Sequence, residues 1–184
     1  MWLNNKHMNK ITQLGIGLVT SGEIQAKTAC SIISALPNGF PIQMLLGESC
    51  YIHMNRESVV DLAFKTGCSH LLFVDSDMLF GNDAITKLIA HDVPIVAGRY
   101  NKRYPPHAST VPGDLKELTE VPFVPTGFLL IDMEVFKKIG KPYFSFNDGA
   151  ESEDVYFCNK AIKNGYKVYV DPTIQIGHIG TAIF

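Results

Sequence analysis

The stretch Leu71-Leu72-Phe73-Val74 is unbroken apolar sequence that stops at Asp75-Ser76-Asp77. An apolar run without alternation suits a strand covered on both faces, as strands are in a parallel sheet. Such a strand needs helices above and below it, and the flanking sequence supplies them. Upstream, Leu14 to Thr20 is a first apolar run. Ser21-Gly22-Glu23 then opens a helix carrying Ile24, Ala29, Ile32, Ile33 and Leu36 at helical spacing, stopped by Pro37-Asn38-Gly39. Ile42 to Leu46 reads as a second strand. Asn55 to Thr66 reads as a second helix, with Val59, Leu62, Ala63 and Phe64 inward and Gly67 as its stop.

Downstream, Asn82 or Asp83 caps a helix reaching about His91, and Pro94 to Gly98 is a short strand. Arg99 to Pro122 holds Pro105, Pro106, Pro112 and Gly113 without periodicity and reads as a long loop over the sheet edge. Phe123 to Ile131, interrupted at Thr126-Gly127, is expected as a strand pair or bent strand, followed by a helix from Met133 to Ile139. Ser152 opens a helix to Asn164-Gly165. Lys167 to Val170 and Thr173 to Gly177 are expected as two last short strands. Strand and helix alternate throughout, the pattern of an α/β sandwich with helices on both faces of one sheet.

With 184 residues, 46% of them hydrophobic, the chain is long enough for one well-buried core and short for two, so one domain is expected. A formal charge of −2 removes the electrostatic case for non-specific nucleic-acid or anionic-membrane binding. No apolar run approaches the roughly 20 residues of a membrane helix. Met1 to Lys10 lacks the apolar core of a signal peptide. Cys30, Cys50, Cys68 and Cys158 form no C-x-x-C pair, so free thiols in a reducing cytoplasm are expected.

Three groups of residues could carry chemistry. Asp75 and Asp77 stand two apart at the carboxyl end of a buried strand, where open α/β sheets put their ligand crevice, and there they can share one hard cation that also binds phosphate oxygens. The competing reading is a turn in which Asp77 accepts backbone hydrogen bonds. Glu153 and Asp154 follow Ser152 at a helix start. The helix dipole accounts for acids there, but if that end faces the crevice, Asp154 can serve as general base, with Asp148 and Glu151 as alternatives. His178, between Gly177 and Gly180, is either an ordinary histidine or a metal ligand. An imidazole beside carboxylates favours Mn2+ over Mg2+. His7, His53, His70, His91 and His107 have no metal-ligand spacing.

Four motifs in order, Val74-Asp75-Ser76-Asp77, Thr126-Gly127-Phe128-Leu129-Leu130-Ile131, Glu153-Asp154-Val155-Tyr156-Phe157-Cys158, and Val170-Asp171-Pro172 with His178, resemble those of nucleotide-sugar glycosyltransferases of the GT-A fold, family 2 and its relatives above all. The resemblance spans Thr12 to His178. It implies a Rossmann-like three-layer α/β/α sandwich with a mostly parallel central sheet. It also implies a nucleotide-diphosphate-sugar donor (UDP or GDP), a divalent metal (Mn2+ preferred, Mg2+ possible), and transfer to a hydroxyl of a glycan or small-molecule acceptor.

Carried onto this chain, the resemblance makes Asp75 a ribose or metal contact, Asp77 the principal metal ligand and His178 the metal-binding histidine. Asp154 becomes the base of an inverting reaction and Glu153 its acidic neighbour. Thr20 and Ser21 fall where the nucleobase and ribose are cradled, and Ser76, Thr126 and Gly127 fall with the donor-binding residues. Arg56 matches a basic residue near the nucleotide, or else forms a surface salt bridge with Glu57 or Asp61. Family 2 members commonly place an aspartate after the second strand; here Gly47-Glu48-Ser49 stands there, making Glu48 the candidate. Arg99, Tyr100, Lys102, Arg103 and Tyr104 could close over the diphosphate or the acceptor, or be ordinary loop residues. Because the sequence ends soon after His178, the acceptor site is expected to be small, open or completed by another subunit of a homo-oligomer. Two other readings compete: a nucleotidyltransferase, for which Gly15, Gly17 and Gly22 are wrongly placed to form a phosphate loop, and a non-catalytic sugar- or nucleotide-binding module.

Overall fold

In the computed structural model, which describes residues 11–102, 108–146 and 151–180, the chain runs β1 (Leu14–Thr20), α1 (Ala26–Ala35), β2 (Ile42–Glu48), α2 (Ile52–Thr66), β3 (His70–Asp75), β4 (Met78–Phe80), α3 (Ala84–Ala90), β5 (Ile95–Arg99), β6 (Thr119–Glu120), β7 (Phe128–Asp132), α4 (Met133–Ile139), α5 (Glu153–Lys163) and β8 (Tyr169–His178). The sheet order is β2-β1-β3-β7-β5-β8-β4, with β6 also on β8. β2, β1, β3, β5 and β8 share one direction. β7 enters antiparallel between β3 and β5, and β4 and β6 pair antiparallel with β8.

Alternation along each strand divides the core in two. Leu71 and Phe73 of β3, with Leu129 and Ile131 of β7, pack under α2, α4 and α5 through Val59, Phe136 and Phe157. Leu72, Val74, Phe128 and Leu130 face the other way, onto Ile32 of α1 and Ile85 and Leu88 of α3. The result is the expected α/β/α sandwich. β3 is buried from His70 to Val74 and only then reaches partial exposure at Asp75, so the first carboxylate emerges where the apolar cover ends. The backbone of α2 lies close to β2 because Gly47 has no side chain; a Cβ there would sit 2.1 Å from Asn55 Oδ1. That closeness sets the depth of Arg56, on the next residue of α2. Gly67 ends α2 in the left-handed conformation, φ 76°, as expected of its position.

Several local expectations are corrected. The first helix begins at Ala26, because Thr20 organises a turn before it: its hydroxyl donates to the Glu23 carbonyl and accepts from the Gly22 N–H at 3.1 Å. The second strand continues to Glu48 and the second helix starts earlier, at Ile52. Leu62 and Phe64 are only partly buried; Val60 takes an inward place with Val59 and Ala63. Phe123 to Pro125 is not a strand, and β7 starts after Thr126-Gly127. The long loop contains β6 and an isolated bridge between Asn101 and Ser109. The last two strands are one, β8, because Asp171 Oδ1 accepts from the Thr173 N–H at 2.7 Å and carries the chain past Pro172 as a bulge between Gly98 and Arg99 pairings. The three-residue strand β4 has no periodicity that would mark it in the sequence; its pairing with β8 defines it. Among the described residues no helix is long and apolar enough to cross a membrane. The first ten residues, Arg103, Tyr104, His107 and Asp148 lie outside the described residues.

Candidate active site

Asp75, Ser76 and Asp77 form the turn between β3 and β4. Because β4 runs back along β8 with Met78 opposite His178, and the Ile179 N–H donates to the Asp77 carbonyl at 2.8 Å, two side chains 101 residues apart become neighbours. Asp77 Oδ2 lies 3.2 Å from His178 Nε2. The other ring nitrogen, Nδ1, is 3.2 Å from the Asn101 carbonyl. A carbonyl only accepts, so that contact puts a proton on Nδ1 and turns the remaining lone pair of a neutral ring toward the carboxylate. Two lone pairs facing each other call for a proton or a cation between them.

Asp75 turns elsewhere. Arg56, 2% exposed, presents Nη1 to Asp75 Oδ1 at 3.1 Å and Nη2 to Oδ2 at 3.5 Å, and its Nε stands 3.6 Å from Glu153 Oε1. The last distance makes an ion pair but no hydrogen bond, leaving Nε without an acceptor. Arg56 thus joins the end of β3 to the start of α5, and neither Glu57 nor Asp61 is its partner. Glu57 instead accepts from the backbone N–H groups of Tyr143 and Phe144, and Asp61 pairs with Lys141. Burial opposes the charge on Arg56, but Asp75, Asp154 and Glu153 outweigh it and raise its pKa above the ordinary value. Asp154 is half-buried beside this group. Burial, then the charge of Glu153, push its carboxyl up to about 7, against a smaller downward pull from Arg56. A carboxyl poised there can take a proton near neutral pH.

Tyr100, expected on the loop, is the residue whose place sequence reasoning missed. It is 6% exposed and accepts from the Gly127 N–H at 3.0 Å, with its ring edge-on to His178 at 5.5 Å. Burial and the nearby Asp75 and Asp154 raise its pKa well above the ordinary tyrosine value, so it stays a neutral donor. Its one signal in the sequence is its position directly after β5, at the same sheet edge as Asp75. Gly127 makes the packing possible. A Cβ there would meet the Tyr100 hydroxyl at 2.4 Å and Asp75 Oδ2 at 3.0 Å. Thr126 is fully buried, with its hydroxyl unpartnered.

Two clefts flank these carboxylates. One, about 290 Å3, is bordered by Thr20, Ser21, Ser49, Asp75, Ser76 and Asp77. The other, about 400 Å3, is bordered by Asp154, Phe123 and Pro125 among others. The Thr20 hydroxyl is used by the turn, and its carbonyl accepts from Asn55 Nδ2 at 2.7 Å. Glu48 is exposed at the end of β2, opposite Thr20, and is not part of the first cleft's wall. Arg99 does not close over the site: its Nε donates to Ser109 Oγ at 2.7 Å and its Nη2 to the Gly113 carbonyl at 2.8 Å, pinning the loop. Glu151 accepts from Asn159 at 2.9 Å. A larger cleft of about 660 Å3, between β4, α3 and β8, touches none of the carboxylates just described. Among the described residues no group of three or more His, Cys, Asp or Glu side chains is arranged to hold a metal, since Asp75 is drawn toward Arg56 and Asp77 and His178 make a pair.

No protein-family model and no curated protein matches the sequence. Solved structures do. The chain is similar to A197 from STIV, with a TM-score of 0.66 and 20% identity over 92% of this chain and 86% of that one. It is also similar to GalNAc-T7, a glycosyltransferase solved with UDP, GalNAc and Mn2+, with a TM-score of 0.63 and 13% identity over 94% of this chain. The match spans less than half, 44%, of the GalNAc-T7 chain. The fold is therefore GT-A-like, a mixed α/β sheet with helices on both faces.

Proposed function

We propose that this protein is a metal-dependent glycosyltransferase, family 2-like, that moves a sugar from a nucleotide-diphosphate donor to an acceptor hydroxyl with inversion. The observation that carries the reading is the convergence of Asp77 with His178, and of Asp75, Glu153 and Asp154 around Arg56, at one edge of a GT-A-like sheet. The nucleotide lies in the cleft of Thr20, Ser21, Ser76 and Asp75, and UDP or GDP is the nucleotide expected there. Asp77 and His178 fit a divalent cation: one oxygen and one imidazole nitrogen, the latter already oriented by Asn101, form a donor pair that suits Mn2+, with Mg2+ as the alternative. Bound there, a cation would supply positive charge to the diphosphate leaving group. GalNAc-T7, of similar fold, was solved with UDP and Mn2+, which supports a nucleotide-sugar donor and a divalent cation for this reading.

Arg56 fixes Asp75 for the donor and holds α5 in place through Glu153. Asp154 accepts the acceptor's proton as the hydroxyl attacks the anomeric carbon from the face opposite the nucleotide, and one such displacement inverts configuration. Tyr100, neutral and buried, accepts from the Gly127 N–H and packs edge-on against His178, which holds that ring in place.

Incubation with UDP-, GDP- and dTDP-sugars, with and without Mn2+, tests the reading. Metal-dependent release of the nucleoside diphosphate is expected. Pyrophosphate release points instead to a nucleotidyltransferase, and donor binding without turnover to a binding module. Asp77→Ala should abolish metal-dependent donor binding, whereas Asp154→Asn should spare binding and remove transfer; the reverse pattern refutes the roles.

A further inference from the structure

We infer that the open edge of β2 is where a second copy of this chain docks, its own β2 lying antiparallel about a two-fold axis through Leu45, so that two sheets become one. Among the described residues β2 ends the sheet, with β1 along one side and no strand along the other. Natural sheets guard such an edge with charge, proline or a bulge. Ile42 to Gly47 carries none of these and keeps unbroken register with β1. No charged residue stands anywhere between Lys27 and Glu48, a stretch that takes in most of α1 and nearly all of β2.

Packing explains why this edge is also apolar. Thr28 Oγ1 donates to the Ser76 carbonyl at 3.1 Å and Ser31 Oγ accepts from the Phe80 N–H at 3.2 Å, which turns that side of α1 toward β4. Ile33 and Leu36, on the other side of the helix, look toward β2. There Met44 and Leu46 share the face on which Ile42 meets the core under α1, and the helix leaves them uncovered. These four side chains are 40–70% exposed and leave on the order of 400 Å2 of apolar surface in one strip, the size of patch that marks an interaction site.

The occupant follows from the strand's own sequence. Antiparallel pairing about Leu45 sets Met44 opposite Leu46 of the second copy, Gln43 opposite Gly47, and Ile42 opposite Glu48. The pairing keeps each side chain on its face, so the two apolar strips lie on the same side of the joined sheet and cover each other between the two α1 helices. Glu48, the one charge of β2, falls at the rim, where no like charge meets it. Strip, paired backbone and rim together approach the about 800 Å2 per partner of a stable dimer. The interface lies across β1 from Asp75 and needs no part of the glycosyltransferase reading.

Sedimentation velocity of the full chain from 1 to 50 µM tests this. Wild type is expected to reach twice the 20.4 kDa mass of one chain at 50 µM. Met44→Glu and Leu46→Lys, both at exposed positions, should each weaken association by about 30-fold with thermal midpoints within about 2 °C of wild type. Ile33→Lys on α1 should weaken it as well, through the helix rather than the strand. Mixed in equal amounts, the two strand variants should regain most of the lost affinity, because the pairing of unlike chains sets the new carboxylate opposite the new ammonium. Wild type that stays monomeric at 50 µM, strand variants that dimerise as wild type does, or a mixture no tighter than either variant alone overturns the inference. A monomer that instead sediments with phosphatidylcholine vesicles overturns it too, and gives the strip to a lipid surface.

Discussion

Replacing Asp154 with asparagine should stabilise the folded protein while removing transfer, and the gain should depend on pH. The carboxyl rises from an ordinary 3.8 to about 7, first because it is buried and then because Glu153 stands beside it. Between these values the folded chain keeps a proton that the unfolded chain has lost. Stability therefore falls as pH rises through this window, and the full cost is reached only above about pH 7. At about 1.36 kcal/mol per pKa unit the rise corresponds to a ceiling of about 4 kcal/mol, and solvent screening of a half-buried group lowers the expected effect to about 1–2 kcal/mol. The amide of the variant cannot ionise and escapes this cost. Urea unfolding at pH 4, 6 and 8 should give coincident midpoints at pH 4 and a higher midpoint for Asp154→Asn at pH 8, with equal m-values. A variant no more stable than wild type at pH 8, or equally stabilised at pH 4, refutes the assignment of a carboxyl whose ionisation is opposed by burial and Glu153.

Arg56→Met leaves Asp75 and Glu153 without their shared cation in a buried setting and should cost about 3 kcal/mol by urea titration, with loss of donor turnover. Gly127→Ala drives a methyl group into the Tyr100 hydroxyl and the Asp75 carboxylate and should cost about 1–3 kcal/mol; unchanged thermal unfolding would show that the turn relaxes freely. Mn2+ with UDP at about 100 times their dissociation constant should stabilise the wild type by about 2.7 kcal/mol, read as a rise in thermal midpoint, and should leave Asp77→Asn unmoved.

Long apolar runs and periodic helices were legible from the sequence alone because burial writes them into composition. The β1 and α4 boundaries, the exposure of Asp75 where β3 ends, and the stop at Gly67 all follow from local pattern. Elements held by tertiary pairing were not. β4 has three residues and no periodicity to read, and β8 looked like two strands because the bulge at Asp171-Pro172 breaks its pattern. The same division runs through the candidate site. The carboxylates and His178 could be named from residue type and position. Only the antiparallel pairing of β4 with β8 brings Asp77 to His178, and only the close approach of α2 to β2 at Gly47 carries Arg56 deep enough to take Asp75. Tyr100 shows the reason most plainly: a chain records which side chains avoid water, but which distant group each one meets is decided by the order in which the strands lie side by side.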